Sequence, residues 1–299
     1  MDRAPVPAPA ELRELEALAV ELAVAAGRLI VDERPDDLGV ADTKSSSTDI
    51  VTEMDRRSEQ LLRARIAEAR PHDAVLGEEA GAGHTPRDWS GLTWVVDPID
   101  GTVNYLYGLP EYAVSVAVVT GDPTVPGAWE TVAGAVSRPS VDELFHARAG
   151  GGSFLTTMSG STVSGSTVSG SSNSAVARRL HVTTGVPVER ALVGTGFGYR
   201  SDVRARQGAV AAQVLPRIRD LRRGGSAAID LCSVAAGRLD GYYESGLHPW
   251  DLAAGLLVVT EAGGVVRGRG TEPPGSALVL AAAPELADGL EAILADVAG

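Results

Sequence analysis

The stretch Trp94–Asn104 reads WVVDPIDGTVN and holds two carboxylates three residues apart, Asp97 and Asp100, at the end of an apolar run. Pro98 restricts the backbone between them, and the Ile99 carbonyl lies in the same turn. Two carboxylates and a carbonyl at a strand end can converge on one point as a set of hard oxygen donors. A hard cation such as Mg²⁺ takes such donors in octahedral array at about 2.0–2.1 Å. Gly101 lets the backbone approach a ligand closely, and the amides of Gly101 and Thr102 can donate to phosphate oxygens. The same letters also describe an ordinary type I turn, because Asp-Pro and Asp-Gly are common turn dipeptides.

Further polar groups stand at intervals along the chain. Gly77-Glu78-Glu79 reads by itself as a solvated acidic pair. Trp250-Asp251-Leu252-Ala253-Ala254-Gly255 places Asp251 in the first turn of a helix, where the helix dipole alone favours a carboxylate. Thr52 and Asp55 have the spacing of a capping box. Ser226 in Gly225-Ser226-Ala227-Ala228 reads as a helix N-cap. Glu244 lies seven residues before Asp251 in YYESGLHPWD, and Lys44 is the one lysine among 26 basic residues.

Taken together, these segments resemble the inositol monophosphatase family. WVVDPIDGTVN matches that family's signature residue for residue, WDLAAG matches its second signature, and GEE matches a metal-ligand segment. Lys44 with Ser45–Asp55 is similar to its mobile loop and the acidic segment that follows. The resemblance runs from about residue 11 to 298, apart from a Ser/Gly-rich stretch. It implies an α/β (α+β) layered sandwich of alternating helix and sheet layers, the sugar phosphatase fold. It also implies a Mg²⁺ site of two to three ions. Glu78, Asp97 and the Ile99 carbonyl would hold the first, Asp97, Asp100 and Asp251 the second, and a third, weaker ion would bind near Glu78.

Asp55 and Thr102 would orient the attacking water and, with Glu78, form the catalytic set, with Lys44 on the loop. Gly101, Thr102, Ser226, Ala227, Glu244 and Asp251 would contact the substrate. The implied reaction is hydrolysis of a small polyol phosphate, myo-inositol 1-phosphate foremost, by metal-activated water in a Li⁺-sensitive homodimer. Glu244 beside Tyr242 and Tyr243 favours a neutral polyhydroxy ring over a cationic amino alcohol or a nucleotide. Histidinol phosphate, fructose 1,6-bisphosphate and 3′-phosphoadenosine 5′-phosphate stay as alternatives. So does a non-enzymatic partner of the transcription or ribosome-assembly machinery, against which the complete ligand set speaks.

The elements that must position these groups follow from periodicity. Leu12, Leu15, Leu18, Leu22 and Leu29 recur at helical spacing and predict a helix over 11–33. A second helix is predicted over 53–70 with Leu61, Leu62 and Ile66 inward. Strands are predicted at Thr93–Asp97, Tyr112–Val119, Thr131–Val136 and Glu143–Ala147, the last three as an antiparallel meander. STVSG occurs twice in tandem, at Ser161–Gly165 and Ser166–Gly170, so 151–175 reads as a flexible surface insertion. Beyond it, strands at Ala191–Gly196, Leu239–Glu244 and Ala277–Ala282 alternate with helices at Val203–Arg219, Ser226–Arg238, Pro249–Ala262 and Pro284–Val297. That alternation predicts an N-terminal mixed or antiparallel sheet half (11–190) and a C-terminal α/β half (191–299).

Composition bounds the function. The 299 residues carry a formal net charge of −13, with no obvious basic face for nucleic acid. An acidic protein repels a phosphate unless a bound cation reverses the local sign. No apolar run is long enough to span a membrane, and Met1–Ala10 lacks the pattern of a signal peptide, so a cytoplasmic location is expected. The single Cys232 sits in an apolar run and reads as a small core residue. The five histidines show no paired metal-ligand spacing, and the glycines of GTGFG (194–198) lack a dinucleotide-binding pattern.

Overall fold

The computed structural model describes residues 7–44, 50–83, 85–157 and 177–297. Helix α1 (Pro9–Asp32) buries Leu12, Leu15, Leu22 and Ile30, with Leu18 and Leu29 packed at the margin. A short pair, β1 (Asp42–Thr43) and β2 (Ile50–Val51), leads into α2 (Glu53–Ala69). The first sheet follows with β3 (Ala74–Gly77), β4 (Gly81–Ala82) and β5 (Leu92–Asp100). After the short helix α3 (Thr102–Tyr107) come β6 (Ala113–Gly121), β7 (Trp129–Arg138), β8 (Glu143–Arg148), β9 (Gly152–Thr157) and β10 (Ala177–Arg179). The eight strands lie in the order β10-β9-β8-β7-β6-β5-β3-β4, and every pair is antiparallel except β3 with β5. The predicted meander is therefore present as β6 to β8. The start of the Ser/Gly-rich stretch differs from expectation: Gly152–Thr157 is a strand, because Ser153 and Leu155 turn inward and its backbone pairs with β8. The tandem STVSG copies lie outside the described residues.

The second sheet is built from β11 (Leu192–Thr195), β12 (Asp220–Arg222), β13 (Gly241–Glu244), β14 (Val265–Arg267) and β15 (Val279–Ala282). Its order is β12-β11-β13-β15-β14, parallel over the first three strands and antiparallel over the rest. The helices of this half are α4 (Ser201–Val214), α5 (Ala227–Ala235), α6 (Pro249–Glu261) and α7 (Pro284–Val297). The helix expected to reach Arg219 stops at Val214 and tightens into a 3-10 turn, Leu215–Arg217. Pro216 has no amide to continue the α pattern, which frees Asp220–Arg222 to become an edge strand.

Five layers result. Helices α1 and α2 pack on one face of the first sheet against Trp94, Val96, Val114 and Val116. Its other face, with Val95, Ala117 and Phe145, packs on α5 and α6, which also bury Tyr242, Val279 and Ala281 of the second sheet. The far face of the second sheet, with Val193, Leu280 and Ala282, packs on α4 and α7. Successive strand residues alternate between these clusters, as Val95 and Val96 do, so the central strands are apolar on both faces. We propose that the two halves divide near residue 190, between β10 and β11. Among the described residues, no helix is long and apolar enough to cross a membrane.

Candidate active site

All nine residues of β5 are buried, and the strand runs on through Pro98 to Asp100. In a regular strand, residues three apart face opposite sides. Here the pairing with β6 shifts register between Asp97 and Asp100, at the residue that cannot donate to the ladder. The irregularity turns both carboxylates toward one point, where Asp251 joins them: oxygens of Asp97, Asp100 and Asp251 all lie within 4.8 Å of one another. Gly101 follows with φ of 93°, a left-handed conformation, and a Cβ there would meet the Glu111 carbonyl at 2.7 Å. It starts α3 and so faces Thr102 back toward the strand end.

Each carboxylate is fixed by a different element. The amide of Ile99 donates to Asp97 Oδ1 at 3.0 Å. Asp100 Oδ2 accepts the Ser226 hydroxyl at 2.6 Å and the Ala228 amide at 2.7 Å, which ties it to the start of α5. Asp251 sits in the first turn of α6 and accepts the His248 amide at 2.6 Å, so its helix-capping role and its place in the cluster coexist. Glu78 follows β3, whose last residue pairs with Val96, and its side chain comes within hydrogen-bonding reach of Asp97.

These groups line one cavity of about 430 Å³, together with Lys44, Ile99, Gly101, Thr102, Ala227 and Glu244. Ser226 is 1 % exposed and does not line it; its hydroxyl is committed to Asp100 and to the Ile229 amide. Burial, then repulsion from Glu78, Asp100 and Asp251, holds Asp97 well above the usual carboxylate range. Burial with repulsion from Glu78 and Asp100 does the same to Asp251. Burial pushes Glu78 up to about 7 against the pull of Lys44, whose ammonium lies 2.7 Å from Glu78 and 2.6 Å from Glu79. The four clustered carboxylates, with Glu244 a fifth on the same cavity, are short of positive charge, and their donors are all hard oxygens. A divalent cation fits that deficit and that donor set.

Beside the cluster, Thr102 Oγ1 lies 3.0 Å from Asp55 Oδ1 and 2.9 Å from the Ile99 carbonyl. Asp55 Oδ2 accepts the amide and hydroxyl of Thr52 at 2.8 and 2.5 Å, so the capping box is real and also aims the second oxygen at Thr102. Asp55 is fully buried, and that burial pushes it up to about 6.

Glu244 also lines the cavity; the Tyr242 hydroxyl donates to it, and burial pushes it up to about 7. A Cβ at Gly196 would stand 2.0 Å from the Glu244 carboxylate. Gly196 of GTGFG, which also lines the cavity, thus makes room for the Glu244 side chain. Sequence reasoning missed Arg223, which lines the cavity and partly offsets the charge of Asp100 and Glu244. It also missed Asn104, whose amide donates to the carbonyls of Glu111 and Gly224 at 2.7 and 3.0 Å and joins the two loops that frame Gly101. Asn104 lay inside the quoted signature; nothing local marked Arg223.

Comparison with known proteins gives one answer. The model of the inositol monophosphatase family matches residues 11–297. The inositol-1-monophosphatase SuhB of Mycobacterium tuberculosis is 44% identical over 296 residues, covering 96% of this chain and 94% of that protein. A Pasteurella multocida relative named Nus factor SuhB is 37% identical over 252 residues, covering 83% of each. Among solved structures, Mycobacterium tuberculosis SuhB superposes with a TM-score of 0.73 at 39% identity, over 95% of this chain and 97% of that one. The inositol monophosphatase of Anabaena superposes with a TM-score of 0.74 at 27% identity, over 96% and 97%. With the signatures, the layered fold and the acidic cavity in agreement over nearly the whole chain, the protein belongs to the inositol monophosphatase family and is a phosphatase.

Proposed function

We propose that the protein hydrolyses the phosphate monoester of a small polyol in a Mg²⁺-dependent reaction, with myo-inositol 1-phosphate converted to inositol and phosphate. The observation that carries this is the convergence of Glu78, Asp97, Asp100 and Asp251 on the cavity that Thr102 and Glu244 also line. Glu78, Asp97, the Ile99 carbonyl, Asp100 and Asp251 would hold two to three Mg²⁺ ions. Bound there, Mg²⁺ neutralises phosphoryl charge and acidifies water. The protein's own groups do the rest. Thr102 Oγ1 passes its proton to Asp55 Oδ1 as it takes one from the attacking water, and burial tunes Asp55 near the working pH for this. The amides of Gly101 and Thr102 face the phosphate, and Lys44 approaches from its loop. Glu244, with Ala227 beside it, accepts hydroxyls of the ring. We infer a cytoplasmic homodimer, sensitive to Li⁺, by likeness to the family.

A partner role of the kind that the name of the Pasteurella relative states would not require four carboxylates to meet at one cavity. The test is phosphate release from a panel of inositol 1-phosphate, histidinol phosphate, fructose 1,6-bisphosphate and 3′-phosphoadenosine 5′-phosphate, with Mg²⁺ and with chelator. Fastest Mg²⁺-dependent release from inositol 1-phosphate is expected; release from none of them would retire the enzymatic reading of this site. Glu244→Ala should cost roughly 10–100-fold in kcat/KM on inositol 1-phosphate, the worth of a hydrogen bond to a charged group. Its effect on glycerol 2-phosphate should be far smaller, and equal losses on both would remove Glu244 from the ring contacts.

A further inference from the structure

We propose that Glu59, held by Arg63, is the positioning residue for the turn that carries Glu78, and thereby sets the affinity of the site for its divalent cation. This rests on the metal role given to Glu78 above. Glu59 lies on α2, one helical turn beyond Asp55, and is 2 % exposed. One of its oxygens accepts the Glu79 amide at 2.8 Å and the other the Ala80 amide at 3.0 Å. Arg63 closes the unit from the other side: its Nε donates to Glu59 at 2.7 Å, and a terminal nitrogen donates to the Gly81 carbonyl at 2.6 Å. The turn after β3 is therefore gripped at its amides by a carboxylate and at its carbonyl by a guanidinium.

Gly77 makes the grip possible. A Cβ there would stand 2.6 Å from the Glu59 carboxylate. The Glu78 amide bonds to the Val96 carbonyl at 3.3 Å, one residue before Asp97. The turn is thus registered to β5 on one side and to α2 on the other, with the Glu78 side chain projecting from between them. Glu59 does not line the catalytic cavity. A buried carboxylate is costly unless well paired. Among the described residues, the bonds that pair this one lead to Arg63 or to the turn bearing Glu78. Groups that orient ligands from behind commonly change metal affinity by about 10–100-fold when altered.

The experiment is calorimetric titration of metal-free protein with Mg²⁺ for wild type, Glu59→Gln and Arg63→Gln. Melting temperatures of the metal-free proteins and rates at rising Mg²⁺ accompany it. Glutamine presents an NH₂ where one amide needs an acceptor, so the turn should loosen. Both variants should show the Mg²⁺ Kd raised about 10–100-fold, while saturating Mg²⁺ returns kcat toward the wild-type value. A variant with a lowered melting temperature but wild-type Mg²⁺ affinity overturns the proposal and leaves Glu59 a structural anchor. If Glu59→Gln does not fold, the more exposed Arg63→Gln carries the same comparison, and wild-type affinity there overturns it. Wild type that binds no Mg²⁺ would instead defeat the metal reading itself, and this proposal with it.

Discussion

Asp97→Asn is expected to lower turnover by about 10³-fold or more while the fold stays intact. Asp97 shares the cluster with Asp100 and Asp251 and feels the charge of Glu78 as well. A metal site contributes several kcal/mol of transition-state stabilisation, and each 1.36 kcal/mol is tenfold in rate. Asparagine keeps an oxygen to accept the Ile99 amide, so the local backbone needs no change.

The substitution should also make the metal-free protein more stable, and the sign follows from linkage. Burial and mutual repulsion raise the cluster's carboxyl groups above their unfolded values. A raised carboxyl holds its proton in the folded state after the unfolded chain has lost it. Its contribution is therefore present at low pH and is lost as pH rises through the folded value, about 7 for Glu78. Removing one charge relieves that loss. Above pH 7 the variant should melt higher than wild type without Mg²⁺ and gain less on its addition. A variant of near-normal activity would take Asp97 out of the metal site.

Asp55→Asn is expected to lower kcat by about 10²–10⁴-fold, the usual contribution of a positioned proton acceptor. At saturating Mg²⁺ and substrate, wild type should lose kcat as pH falls below about 6, because protonated Asp55 cannot take the Thr102 proton. The variant should lose that acid limb along with its rate. Its melting temperature should change little, since the asparagine oxygen can still accept the Thr52 amide. A large fall in stability with an unaltered pH profile would reduce Asp55 to a helix cap.

Much of this site was legible in residue order because the signature around Asp97 and Asp100 is continuous and unusual. What order could not give is how the two carboxylates meet. Spacing of three along a strand points them apart, and only the register shift at Pro98 brings them together. Asp55 and Asp251 were legible twice over, as helix-start residues and as candidate site groups; in the structure each accepts a helix-start amide, while Asp55 also meets Thr102 and Asp251 joins the acidic cluster. Glu59 and Arg63 were hidden for the opposite reason. Nothing in a Glu and an Arg four apart on a helix separates them from an exposed i,i+4 pair, whereas α2 turns them under the Glu78 turn.

Glu244 was expected from the resemblance, but the reason for Gly196 was not, since the two meet only across β11 and β13. In the fold, long apolar runs announced their strands, while β3 and β9 are short and marked by glycine or serine. They became strands because their neighbours offered an edge to pair with.

Folding gathers Glu78, Asp97, Asp100 and Asp251 around one cavity, which we propose is a site for divalent cations. Calorimetric titration of metal-free protein with Mg²⁺ near pH 7, in two buffers of different ionisation enthalpy, tests it most directly. Raised carboxyl groups must give up protons before they bind a cation. The expected result is saturable Mg²⁺ binding with net proton release, both lost in Asp97→Asn. No binding in wild type, or binding that releases no protons and persists in Asp97→Asn, would mean that these carboxylates do not hold a divalent cation.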